Sequence, residues 1–230
     1  MHAPTAPSSR VMSLDAGPIA DLSYGLSAHV DPDEPQTGIV CGNDRLLGLD
    51  LRSPCQASDL WVRGGDIVAS YEPNDPRLLR ATALWRRRRC DGVAAWEVIA
   101  SATTGREHSD VSLSVTSDVE AATILWGIGD GARLQWHPAA PATSPACLLL
   151  RREGAGSVLV AGHAGDARRM FVRPYDGRAR VECWLFSTAA EKGVLFRGRV
   201  MAAVGPAAGD TLWAERAWSD FDASPPVLTT

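Results

Sequence analysis

From Ile19 onward the chain alternates short apolar runs with clusters of Gly, Asp, Asn and Pro at intervals of about ten residues, the pattern of antiparallel strands joined by turns. Three hairpins follow from turn residues that tolerate positive φ. The first pairs Asp59 to Arg63 with Asp66 to Glu72 across Gly64-Gly65. One face then carries Leu60, Val62, Ile67, Ala69 and Tyr71, while Trp61 falls on the other, among Asp59, Arg63, Asp66 and Glu72. The second hairpin turns at Asp91-Gly92 and places Trp85, Trp96 and Val98 on one face, with Arg87 opposite Trp96. Its other face sets Arg86 opposite Glu97, so the run Arg86 to Arg89 divides between faces. The third turns within Gly127 to Gly131, and a register centred on Asp130 brings Trp126 and Trp136 to one face; a slip of one residue separates them.

Apolar runs at Cys147 to Leu150, Ser157 to Ala161, Arg169 to Val172, Val181 to Phe186 and Val194 to Val204 continue the strand pattern. Helical periodicity enters only after Asp210 or Thr211, with Trp213, Ala217 and Phe221 on one stripe and Trp218 off it. That helix is expected to cover an end or edge of a sheet. The fold class is therefore all-β, a large antiparallel β-sandwich with a short C-terminal helix. At a mean strand length of about five or six residues, the chain holds about fourteen to sixteen strands. In size and strand count it resembles galactose-mutarotase-like proteins. No family motif accompanies that resemblance, so no catalytic residues carry over from it. Residues 1–12 are expected to form a loose N-terminal arm and 13–230 one sandwich domain, with an internal loop or hinge at 138–146.

Composition changes the picture in three places. Tryptophan is abundant, eight against three Tyr and four Phe. The net charge of −4 argues against nucleic acid as a partner, although it leaves room for a local basic patch. Lys192 is the only lysine among 23 basic residues. Five cysteines, an odd number without CxxC or Cys/His clustering, read as reduced thiols, and with no apolar leader or membrane span in the sequence the expected location is cytoplasmic. No metal site or cofactor is expected.

The chemistry-bearing candidates are few. The sequence contains no phosphate loop, HExxH or GxSxG motif. Glu107, His108 and Asp110 set an imidazole between carboxylates, an arrangement suited to proton shuttling; His137 and His163 are further candidates at strand ends. Trp61 with Arg63, Asp66 and Glu72 has the composition of a sugar-stacking platform, an aromatic face ringed by hydrogen-bonding groups. The remaining tryptophans in apolar runs, Trp85, Trp96 and Trp184, are expected in the core, as is Trp213. Three functions fit: carbohydrate or small-ligand binding, a sugar isomerase, epimerase or lyase using a His/carboxylate pair, or an oligomerising structural protein.

Overall fold

A computed structural model of the chain describes residues 10–14, 28–52, 55–72, 79–130, 133–154, 156–166 and 169–225. Its first strands are β1 (Met12–Leu14), β2 (Ala28–Val30), β3 (Ile39–Cys41), β4 (Asp44–Asp50), β5 (Gln56–Arg63), β6 (Asp66–Glu72), β7 (Leu79–Arg88) and β8 (Ala94–Thr104). The remainder are β9 (His108–Glu120), β10 (Thr123–Asp130), β11 (Arg133–His137), β12 (Cys147–Arg151), β13 (Ser157–Gly162), β14 (Arg169–Tyr175), β15 (Arg178–Glu191) and β16 (Phe196–Gly205), followed by helix α1 (Asp210–Asp222). They form a seven-stranded sheet in the order β1-β2-β3-β4-β9-β15-β14 and a nine-stranded sheet in the order β11-β10-β12-β13-β16-β8-β7-β6-β5. Of the expected N-terminal arm, residues 1–9 lie outside the described residues, and Met12 already pairs with Val30.

The first two hairpins have the register their turn residues imply: Trp61 pairs with Val68, Arg86 with Glu97 and Arg87 with Trp96. Inward-facing residues of both sheets make one core, with Trp85 and Trp96 fully buried. The Trp85 Nε1–H donates across the sandwich to the Leu47 carbonyl at 3.0 Å, and the Tyr71 hydroxyl donates to the Pro32 carbonyl at 2.9 Å. These two buried donors thus have partners, without which burial would cost about 1–3 kcal/mol each, whereas the buried Trp96 Nε1–H has no hydrogen-bond partner among the described residues.

A second apolar cluster lies on the outer face of the nine-stranded sheet, under α1. Strand β13 is buried at every position because the inner core covers one face and the helix the other. The helix therefore lies across a sheet face, against β11, β12, β13 and β16, and not at an end or edge. A wide face needs a wide stripe, and Trp218 joins Trp213, Ala214, Ala217 and Phe221 in being buried.

The third hairpin departs from the expected register. Asp130 pairs with Arg133, Trp136 with Gly127 and Trp126 with His137, so the two tryptophans occupy opposite faces. Trp126 packs on the inner core and Trp136 on the helix side. Packing space decides the matter. A Cβ on Gly127 would lie 2.4 Å from Cys147 Sγ and 3.1 Å from the Trp136 ring, and one on Gly129 would lie 3.2 Å from the Trp218 ring. These glycines belong to strand β10, where the missing side chains admit two indoles and a thiol.

Candidate functional site

Strand β15 alternates strictly: Ala179, Val181 and Cys183 are buried, while Arg180, Glu182 and Trp184 point outward. A bulge between Trp184 and Phe186 then breaks the pairing with β9. Leu185 and Phe186 are consequently both buried, and Ser187 and Thr188 return to the surface. On the neighbouring edge strand β14, Arg169 lies directly opposite Trp184 and Phe171 opposite Glu182. On the other side of Trp184, Ser114 of β9 is its partner.

A cleft of about 870 Å³ opens beside Trp184. Trp184, Glu182, Arg169 and Phe171 contribute from the seven-stranded sheet, Asp166 from the connection between β13 and β14, and Phe196 and Arg197 from the start of β16. The rings of Phe186 and Phe196 pack at 5.6 Å and give one wall an apolar surface. Phe171 is 50% exposed, a large apolar ring left open to solvent beside the indole.

Both carboxylates of the cleft are committed. Glu182 Oε1 accepts from Arg52 Nη2 at 2.6 Å and from Ser114 Oγ at 3.2 Å. Asp166 Oδ2 accepts from Arg199 Nε at 2.7 Å, and Arg199 is itself 2% exposed. The Arg52 guanidinium also stacks on Trp184, 4.5 Å from the ring centroid. Arg52 holds the indole without itself lining the cleft.

The expected site residues are dispersed. Trp61 is 46% exposed on β5, an edge strand of the nine-stranded sheet, with Arg63 and Glu72 also exposed and Asp66 half-buried. Burial raises the Asp66 carboxyl above its ordinary range, against the opposing charge of Arg86. Glu72 pairs with Arg80 at 3.7 Å. None of the four lines the cleft beside Trp184. Glu107 is solvent-exposed and pairs with Lys192 at 3.8 Å; His108 and Asp110 lie on β9 opposite Glu191 and Ala189, and the His108 side chain lies outside the described residues. His137 ends β11.

His163 lines a smaller cleft of about 440 Å³ at the end of α1, and Arg169 lines both clefts. The His163 Nδ1 accepts from the Gly165 backbone N–H at 3.2 Å and lies 3.5 Å from Asp166 Oδ2, while its ring stands edge-on to Phe221 at 5.5 Å. Its Nε2 is enclosed without a hydrogen-bond partner among the described residues. The imidazole thus packs the helix end and offers neither nitrogen to the larger cleft. Among the described residues, no cluster of three His, Cys, Asp or Glu forms a metal site, and no helix is long and apolar enough to cross a membrane.

No protein-family model matches this sequence, and no curated protein matches it either. A solved structure does: a proposed aldose 1-epimerase from Klebsiella pneumoniae, 8% identical, with a TM-score of 0.53 over 86% of this chain and 81% of that one. The fold is galactose-mutarotase-like. An α-galactosidase from Lactobacillus brevis also aligns, at 15% identity and a TM-score of 0.35, and the chain spans 30% of its length. Within the galactose-mutarotase-like sandwich of this chain, a further departure from sequence expectation is Trp184. It lines the cleft, half-buried, instead of the core.

The same alternation that sets Trp61 among charges sets Trp184 among Arg180 and Glu182. Reading Val181 to Phe186 as one apolar run obscures this, because the bulge puts two consecutive apolar residues at its end. The partners Arg169 and Phe171 come from β14 and Arg52 from the bend after β4, and no local signal joins them.

Proposed function

We propose that this protein binds a carbohydrate in the cleft beside β15, with the apolar face of a sugar ring stacked on Trp184. The supporting observation is an indole that lines the cleft, is held by Arg52, which does not line it, and is bordered by the polar side chains of Ser187, Thr188 and Glu182. Phe171 and Phe196 supply further apolar surface for ring carbons. The name of the Klebsiella pneumoniae neighbour, an aldose 1-epimerase, points to the same ligand class.

Binding without turnover is the reading favoured here. Acid–base chemistry on a sugar needs two titratable groups free to exchange protons with it. In the cleft Glu182 and Asp166 are held by arginines, and His163 is turned into the helix packing. Calorimetric titration with aldohexoses and their disaccharides tests the proposal. Trp184→Ala should weaken binding at least tenfold, about 1.4 kcal/mol, while the melting temperature changes by a few degrees at most. Retained affinity in that variant overturns the cleft reading.

A second reading places a ligand or a partner subunit on Trp61 with Arg63, Asp66 and Glu72. The observation in its favour is the exposure of Trp61, at 46%, on the edge strand β5. Loss of binding, or of self-association, in Trp61→Ala but not in Trp184→Ala would favour it.

A further inference from the structure

The charge pattern around Trp184 narrows the ligand class. Glu182 is neutralised by Arg52 and Asp166 by the buried Arg199, each at hydrogen-bonding distance. Arg169, the direct cross-strand partner of Trp184, has no carboxylate partner among the described residues. Cross-strand side chains at such positions have Cβ atoms about 5 Å apart. Further along the same face Arg173 lies opposite Arg180, but Arg180 has Asp118 of β9 as its partner on the other side and Arg178 is paired with the same carboxylate, so the arginine of this ribbon that faces the cleft is Arg169.

From this we infer that the sugar bound on Trp184 carries an anionic substituent, a carboxylate or a phosphate, held by Arg169. The inference rests on the carbohydrate reading above and adds the charge to it. A guanidinium presents paired N–H donors that match carboxylate and phosphate oxygens, and its charge persists at any working pH. A ring lying flat on the indole keeps its substituents at its rim, within reach of the neighbouring strand. Arg197, whose Nε donates to Ser101 Oγ at 3.2 Å, lines the same cleft.

The test is titration of the full chain with matched sets: glucose, glucuronate and glucose 6-phosphate, then galactose, galacturonate and galactose 6-phosphate. In at least one set the anionic member should bind about tenfold or more tightly than its neutral parent. That advantage should collapse in Arg169→Gln, return in part in Arg169→Lys, and survive in Arg173→Gln, which lies on the same strand outside the cleft. The uronate and phosphate arms distinguish the two sources of charge. Neutral sugars binding as tightly as their anionic counterparts would overturn this inference and leave the carbohydrate reading intact. If no sugar of any arm binds at millimolar concentration, the carbohydrate reading itself fails. An anionic preference unchanged in Arg169→Gln would overturn the assignment to that residue.

Discussion

The two tryptophans on polar faces, Trp61 and Trp184, obey one rule and differ in surroundings. Both follow from alternation along a strand, yet Trp61 is on an open edge while Trp184 faces a cleft assembled from β14, β15 and β16. Alternation is a local property and readable from sequence; a cleft is not, because its walls are set by strands far apart in the chain. Cysteine makes the same point. No disulfide joins the five cysteines, as their spacing suggests, but only packing tells them apart. Burial pushes the Cys183 thiol up to about 12 and Cys41 up to about 11, with the Asp44 carboxylate adding to the latter, and raises Cys147 further. The thiolate is the reactive form. Alkylation of the native protein at pH 8 should therefore leave Cys41, Cys147 and Cys183 unmodified, and guanidinium should make all three react; mass spectrometry of the peptides reads this directly.

At the scale of elements, helix α1 shows what fixes an amphipathic segment to a sheet. Its apolar stripe supplies most of the energy, since burying a large apolar side chain contributes about 1.5–3 kcal/mol. Its placement is set by an ion pair at one end and an arginine contact at the other. Near the N-terminus Asp210 accepts two hydrogen bonds from Arg151, at 2.7 and 2.8 Å, and one from Ser157 at 2.8 Å. Toward the C-terminus Arg88 stacks on Phe221, donates to the Asp220 carbonyl and binds Glu97, which also binds Arg86. The Arg86–Glu97 pair is legible in the sequence as a cross-strand match; the helix contacts of Arg88 are not, because nothing local brings residue 88 to residue 221.

Two outcomes follow for that helix. Glu97→Gln leaves two guanidiniums facing each other around a buried site and should cost about 3 kcal/mol in urea unfolding. Asp210→Asn should cost about 2 kcal/mol, less than a fully buried pair because Arg151 is 41% exposed. Burial alone would raise the Asp210 carboxyl, but the Arg151 and Ser157 hydrogen bonds more than offset it and hold the group below the ordinary carboxylate range. A depressed folded-state value gives stability that is present above the unfolded value and is lost as pH falls through the folded one. Unfolding free energies of the wild type and Asp210→Asn should therefore converge below about pH 4 and differ at pH 7.

For the molecule as a whole, the segment 138–146 decides whether the chain behaves as one unit or as two hinged halves. It joins β11 to β12 within the nine-stranded sheet, and Ala146 donates its backbone N–H to Gly127 across that connection. The strands on either side of it are interleaved in space. In the seven-stranded sheet β15, from the second half, pairs with β9, from the first, from Arg178 opposite Glu120 to Glu191 opposite His108. In the nine-stranded sheet β16 pairs with β8 in the same fashion. Each half alone would expose both long ladders and the apolar faces behind them, so neither half has a core it could keep. Proteolytic nicking within 138–146 should accordingly yield two fragments that co-elute in native size exclusion and separate only in denaturant. Before cleavage, far-ultraviolet circular dichroism and tryptophan fluorescence should report one coincident unfolding transition, because the buried Trp85 and Trp96 lie between the same two sheets whose hydrogen bonds the dichroism follows. Fragments that part without denaturant, or two resolved transitions, would make 138–146 a true hinge.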